Sequence, residues 1–299
     1  MMPITEMQDE LRTIEAVRRR RGAERVADFA ARWLPPLEAE LERATAGLGD
    51  ELGGLQAAVD RAVGTRGAGG RRWRPLLVLA AAGACGADPA EAAGAAAAAE
   101  LTHAASLALD DLPCMDDDAT RRGLPSTHRL VGSAGAILVA VGLLGRSAEL
   151  LAAAPRGAAG LCAEWGRCFG LRGMSGGQAA DLAGLRRGAA RRLLREKTTA
   201  LSGFAPAAGA RVAGADAEVR DSLAAFGRGV GWAYQLADDA EDARADAAAG
   251  RAAAGRAPLK QAARLLRLSE ARLRRTPGLS SEGTELLASL ARAVVPAAG

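Results

Sequence analysis

Aromatic residues make up only 3% of this 299-residue chain, and β-branched residues are sparse. Sheets lean on such side chains, so the chain is expected to pack as helices. Alanine, the strongest helix former, dominates instead, and a hydrophobic content of 49% permits a substantial core. Lysine is nearly absent: Lys197 and Lys260 are the only two, and almost every other basic residue is arginine. The histidines are His103 and His128. The cysteines, Cys85, Cys114, Cys162 and Cys168, show no Cys-x-x-Cys spacing, which argues against a zinc site. The net charge of +4 is modest, and no dense basic stretch is interleaved with aromatics. The Arg18–Arg21 run therefore reads as a solvated helix face, with nucleic acid not expected as a partner. No apolar run reaches membrane-spanning length without a charge; Leu130 to Leu144 comes nearest, but it is short and glycine-broken. Met1 to Glu10 is polar and acidic and lacks the apolar segment of a secretory signal, so the expectation is a cytoplasmic protein with no membrane span.

Two acidic clusters are present against this background. Asp110-Asp111-Leu-Pro-Cys-Met-Asp116-Asp117-Asp118 puts five carboxylates in nine residues, followed closely by Arg121, Arg122 and Gly123. Bare carboxylates at this density repel and raise one another's pKa. Mg²⁺ removes that cost, because it takes oxygen ligands and bridges carboxylates to substrate phosphates. The arginines add forked donors that fit phosphate oxygens. The second cluster, Tyr234-Gln235-Leu-Ala-Asp238-Asp239-Ala-Glu241-Asp242, closes a mostly apolar helical stretch from Phe226 to Ala237. Asp238 and Asp242 share one face of that helix. Either cluster alone reads equally well as a solvated acidic face. Together, more than a hundred residues apart, they look like two halves of one Mg²⁺–diphosphate cage.

Helical periodicity prevails along the chain. Glu6 to Trp33 reads as an amphipathic helix stopped by Pro35-Pro36, followed by helices at Leu37–Ala46 and Glu51–Val63 and a glycine-rich loop at Thr65–Gly70. Pro75 suits the first turn of the next helix. Asp88-Pro89 opens a long helix through the alanine run to Asp111. Pro113 disturbs that helix between its aspartates, which lets Asp116 come round to the same metal. Further helices are expected at Ser133–Ala152, Ala158–Phe169, Gly176–Leu185, Ala189–Gly203, Ala217–Asp242, Leu259–Arg274 and Ser281–Val294. No strand and no repeat is read. The Ala92–Ala99 run marks a close helix–helix contact.

Four further stretches complete an ordered series. Gly69-Gly70-Arg71-Arg72-Trp73-Arg74-Pro75 is a glycine–arginine loop, and Glu100-Leu-Thr-His103-Ala-Ala-Ser106 leads into the first acidic motif. Gly176-Gly177-Gln178-Ala-Ala-Asp181 and Lys197-Thr198-Thr199-Ala-Leu lie between the two acidic motifs. In this order, from Gly69 to Asp246, the blocks resemble the trans-isoprenyl diphosphate synthases (the polyprenyl synthetase family), most closely the bacterial geranylgeranyl and farnesyl diphosphate synthases.

The resemblance implies a single all-α domain over residues 1–299, an antiparallel bundle with a central cavity. It would comprise N-terminal helices (1–64), a catalytic core (65–246) and a shortened C-terminal lid with helices (247–299). It implies a Mg²⁺-dependent prenyltransferase that joins isopentenyl diphosphate to an allylic diphosphate, with three Mg²⁺ per site, working as a homodimer. By the same resemblance Asp110, Asp116 and Asp238 are the main metal ligands, supported by Asp111, Asp239 and Asp242. Arg121 and Lys197 hold the allylic diphosphate, while Arg71, Arg74, His103 and Arg122 hold that of isopentenyl diphosphate. Thr198 and Gln235 aim oxygen dipoles at the allylic cation, and Gln178 and Asp181 stand behind the site. Product length follows from the helix before Asp110: Ala105, Ser106 and, a turn deeper, Thr102 line the floor. A small residue at Ala105 leaves the tunnel open toward a twenty-carbon product.

Three departures from the family pattern stand out. Arg71 replaces the loop lysine, Val141 stands where aspartate is usual, and the segment after Asp242 lacks the family's lysines, with Arg251 or Arg256 as substitutes. Two other readings stay open: a terpene cyclase on the same scaffold, and a non-catalytic subunit of a hetero-oligomeric synthase.

Overall fold

The computed structural model describes residues 4–49, 54–65, 70–185, 190–248 and 257–295, without the side chains of 4–19, 190, 191, 242, 244–248 and 257. Its helices are α1 (Ile4–Thr45), α2 (Leu55–Val63), α3 (Trp73–Ala84), α4 (Ala93–Asp110), α5 (Thr127–Ala152), α6 (Ala158–Phe169), α7 (Met174–Leu182), α8 (Ala190–Val212), α9 (Ala217–Ala248), α10 (Ala257–Leu273) and α11 (Ser281–Val294). A short ribbon, β1 (Thr120–Arg121) with β2 (Leu124–Pro125), is the one sheet among the described residues. The all-α expectation holds, and the bounds of α6 and α11 match those read from the pattern.

The first helix departs from expectation. It runs through Pro35 and Pro36, where the sequence predicts a stop. Both prolines are exposed, so water can serve the carbonyls left without donors. The next turns bury Leu37, Leu41 and Ala44 at 2%, 0% and 2% exposure, which draws the segment onto the core along a continued stripe. The helix expected to open at Pro89 starts instead with a 3-10 turn, Pro89–Ala92, capped by the Asp88 carboxylate accepting from Ala90 N.

At the centre lies α3, buried along almost its whole length. It packs against α4, α8 and α11. Gly209 of α8 sits so close to it that an added Cβ would meet Val78 O at 2.0 Å, so only glycine allows this crossing. The alanine run does mark a tight contact: Ala95 to Ala99 are at most 2% exposed, and α4 lies against α5. Within α5 the backbone breaks at Gly132, with φ +72°, and the straight run resumes at Ser133, where the sequence predicts a start. By length and hydropathy, 1.7 over its most apolar window, α5 could cross a membrane. In the fold it buries Ala136, Val139, Ala140, Leu143 and Leu151 and leaves Leu130, Ile137, Leu138 and Val141 on its outer face.

Arg72 ties the first half of the chain together. It is 3% exposed and sits at φ +48°, a strained left-handed backbone for a residue with a side chain. Its guanidinium donates to Glu38 Oε1 and Oε2 of α1 at 2.8 and 3.1 Å, to Glu100 Oε1 of α4 at 2.7 Å, and to the carbonyls of Val63 and Gly64 at 2.7 and 3.1 Å. Burial alone would lower its pKa, but the Glu38 and Glu100 carboxylates outweigh that and hold it above its ordinary value. Removing one partner of such a pair strands the other charge in the interior. Arg72→Met is therefore expected to cost about 3–5 kcal/mol in urea unfolding. Adding Glu100→Gln should recover part of the loss, and no recovery would mean that Glu100 is not the stranded charge.

Candidate active site

The first acidic motif begins where α4 ends, at Asp110. The chain then folds back: Met115 N and Asp117 N donate to Leu112 O at 2.8 and 3.1 Å, and Asp116 N donates to Asp110 O at 2.9 Å. Asp116 is thus brought beside Asp110 across the six-residue step, as the proline between them suggests. Asp117 sits at φ +52°. Burial, and next the like charges of Asp116 and Asp111, push Asp110 up to about 6, although Lys197 and Arg121 pull the other way. Asp111 turns inward at 2% exposure and pairs with Arg121, which also reaches Asp118 at 2.7 Å. Lys197 of α8 pairs with Asp181 of α7 at 3.0 Å. Gln178, on the same helix as Asp181, approaches Met115 Sδ at 3.7 Å, and its buried Oε1 has no hydrogen-bond partner.

The Arg-Arg-Gly tail of the motif is a hairpin, which the sequence reading does not find. Arg122 and Gly123 have φ of +54° and +73° and form the two-residue turn between β1 and β2. Positive φ at both positions matches the right-handed twist of the strands. The missed signal is the residue–glycine pair itself, obscured because arginine stands where Asn or Asp is usual. The ribbon is anchored by Arg61 of α2, which donates to the carbonyls of Arg121 and Pro125 at 2.6 and 3.1 Å. One consequence is that Arg121 turns to the aspartates while Arg122 lies against Gly70 of the glycine–arginine loop.

Arg122 belongs to a second, basic group. Arg74 is half-buried, its guanidinium lies 4.4 Å from the Trp73 ring centroid, and its buried Nε has no hydrogen-bond partner. Trp73 in turn lies 5.8 Å from Tyr234 of α9, so its ring is positioned between that helix and the Arg74 guanidinium. Burial depresses Arg74, and nearby Arg122 adds to the effect. Arg122 is depressed by burial and then by Arg72, Arg61 and Arg121. His103 is held well below 6.5 by burial and then by Arg74, Arg122, Arg121 and Arg72. Glu100, which Arg72 already engages, acts on both Arg74 and Arg122. Two guanidiniums beside an imidazole whose protonation they and burial suppress form a setting that an anion of high charge relieves. Arg71 and Arg122 are exposed, whereas Arg74 and His103 are half-buried.

On α9, Asp238 and Asp239 are exposed and Gln235 Nε2 donates to Asp239 Oδ1 at 2.7 Å. The side chain of Asp242 lies outside the described residues, as do Gly69 and the segment with Arg251 and Arg256. Thr198 is half-buried on α8, one residue from Lys197. Along α4, Ser106 is half-buried and donates to His103 O at 2.9 Å, while Ala105 and Thr102 are 0% exposed. His128 is 7% exposed and bonds Ser126 at 3.1 Å, which is consistent with a structural part. The thiols of Cys85 and Cys168 are pushed up to about 11 and about 12 by burial, so neither is a reactive thiolate.

The sequence signature of the polyprenyl synthetase family matches residues 56–255, and the chain belongs to that family. It is 38% identical over 185 residues to a farnesyl diphosphate synthase of Bacillus subtilis, covering 58% of this chain and 62% of that one. It is 36% identical over 187 residues to a geranylgeranyl diphosphate synthase of Pantoea ananas, covering 59% and 62%. The match thus spans somewhat under two thirds of the length of these relatives. In structure it resembles an FPP/GFPP synthase from Zymomonas mobilis, with TM-score 0.75 and 30% identity over 90% of this chain and 99% of that one.

The depressed His103 makes stability pH-dependent in a definite direction. Below 6.5 the unfolded chain binds a proton on this histidine that the folded chain does not, so stability falls as pH falls through 6.5 toward the lower folded value. His103→Gln is expected to flatten the wild-type loss of melting temperature over that window. Parallel pH profiles for the two proteins would show that His103 is not the group responsible.

Proposed function

We propose that this chain condenses isopentenyl diphosphate with an allylic diphosphate, releasing pyrophosphate and making geranylgeranyl diphosphate, as a cytoplasmic homodimer. The observation that carries the reading is the adjacency of two unlike anion sites on one ribbon. On one side is the carboxylate group of Asp110 and Asp116 with Arg121 and Lys197, and on the other the basic group of Arg74, His103 and Arg122. A metal-held diphosphate suits the first, and a metal-free diphosphate suits the second. A cyclase needs only one diphosphate, so the second group favours condensation, and both acidic motifs are complete, which favours a catalytic chain over an inactive subunit.

Mg²⁺ fits the first site. Asp110 carries its charge at a cost there, raised by burial and by its acidic neighbours, and a dication removes that cost. Among the described residues no three acidic, Cys or His side chains converge on one point. Pairs of carboxylates are the donor set Mg²⁺ uses when substrate phosphates and water complete its octahedron. Asp110 and Asp116 would hold it from α4 with Asp111 in support, and Asp238, Asp239 and Asp242 from α9, for three ions in all. When bound, Mg²⁺ supplies positive charge to the departing diphosphate oxygens.

The protein groups then divide the work. Arg121 and Lys197 steady the allylic diphosphate as its C–O bond breaks. Arg71, Arg74, His103 and Arg122 hold isopentenyl diphosphate so that its double bond faces the allylic carbon and forms the new C–C bond. Thr198 and Gln235 present oxygen dipoles to the carbocation between those events. The proton lost from the new chain goes to the released pyrophosphate, so no protein base is required. The exposed apolar face of α5, with Leu138 at 61% and Val141 at 58% exposure, supports the homodimer. Val141 itself replaces an aspartate with a group suited to that face.

Purified protein with Mg²⁺, isopentenyl diphosphate and dimethylallyl, geranyl or farnesyl diphosphate in turn is expected to give a twenty-carbon diphosphate by mass spectrometry, and none with EDTA. Hydrocarbon release without isopentenyl diphosphate would establish a cyclase instead. Asp110→Asn should lower kcat by about 10²–10³-fold, the scale for losing one electrostatic stabiliser of the transition state. A change of less than tenfold would remove Asp110 from the metal set.

A further inference from the structure

Trp165 of α6 donates from its indole Nε1 to Thr102 Oγ1 at 2.8 Å. That hydroxyl is fully buried and itself donates to Ala98 O at 2.7 Å. Ser147 of α5 lies 3.3 Å from it and donates to Leu143 O at 2.9 Å and to Ala98 O at 3.2 Å. Side chains from α4, α5 and α6 therefore meet in one small hydrogen-bonded knot.

The knot lies below the candidate active site. Thr102, Ser106 and Asp110 follow at four-residue steps and share one stripe of α4. Asp110 and Ser106 keep partial exposure, whereas Thr102 has none. The open side of the stripe thus ends at Thr102, roughly 12 Å of helix rise below Asp110, and the group covering that end is the indole. Ala105, at 0% exposure, presents no open surface there. One turn along α6, Phe169 stacks on Trp165 with centroids 6.1 Å apart and planes 10° from parallel, and both rings are half-buried. An aromatic wall in a chain so poor in aromatics, pinned by a buried hydroxyl, suits a stop for an apolar ligand. The hydrogen bond fixes the ring in place, where an unbonded indole could swing aside.

We infer that Trp165, held by Thr102, is the floor that ends growth of the prenyl chain, with Phe169 as the wall above it. The inference rests on the condensation proposed above and adds a length-determining residue on α6, beyond the α4 positions.

Trp165→Leu is expected to shift the main product longer by at least one isoprene unit when farnesyl diphosphate is the primer. Thr102→Val keeps the volume but removes the acceptor, and should spread the products toward greater length. An unchanged product distribution in a folded, active Trp165→Leu protein overturns the inference. Where that variant is unfolded or inactive, Thr102→Val decides in the same way. Absence of any prenyl product from the wild type would sink the proposed reaction, and the floor is then read by binding. Geranylgeranyl thiolodiphosphate with Mg²⁺ should change the tryptophan fluorescence of the wild type more than that of Trp165→Phe, and equal changes overturn the floor.

Discussion

The buried guanidinium of Arg72 is the constraint on which the rest of the site depends. One side chain holds α1 through Glu38, the end of α2 through two carbonyls, and α4 through Glu100, while its own backbone opens α3. A planar fork with fixed donors does this where a lysine could not. The electrostatic effect matters as much as the mechanical one. By engaging Glu100, Arg72 takes up a carboxylate whose charge also acts on Arg74 and Arg122.

Neighbouring positions in the sequence thereby acquire opposite characters. Arg72 is held above its ordinary pKa and is structural, whereas Arg74, two residues on, is depressed and has an unbonded Nε. A similar split separates Arg121, paired to Asp111 and raised by that bond, from Arg122, depressed by burial and by its basic neighbours. In both cases the raised arginine hydrogen-bonds carboxylates directly, while burial dominates for its neighbour.

Much of this was legible in the sequence, and the failures have physical causes. Acidic clusters and ordered glycine, arginine and lysine blocks are dictated by chemistry, so they read directly, as did the return of Asp116 to Asp110 after Pro113. Helix α1 did not, because the burial of Leu37 and Leu41 that carries it past two prolines is a tertiary effect. The hairpin was hidden by an arginine at a left-handed position, tolerated because Arg61 grips the ribbon from α2. The structural importance of Arg72 and Trp73 depends on partners tens to more than a hundred residues away, Glu38, Glu100 and Tyr234, which no local pattern contains.

The turn at Arg122-Gly123 has one further consequence. Arg121 and Arg122 are joined by a single trans peptide, so their Cα atoms stand about 3.8 Å apart whatever the side chains around them do. The spacing of the two arginine stems is therefore written into covalent geometry at this point, whereas the Trp165–Thr102 knot is written into packing. Substitutions along α4 and α6 can remodel that knot while leaving the spacing of the arginines untouched. An insertion of one residue in the ribbon would act in reverse, displacing one arginine relative to the other while leaving the Trp165–Thr102 knot as it is.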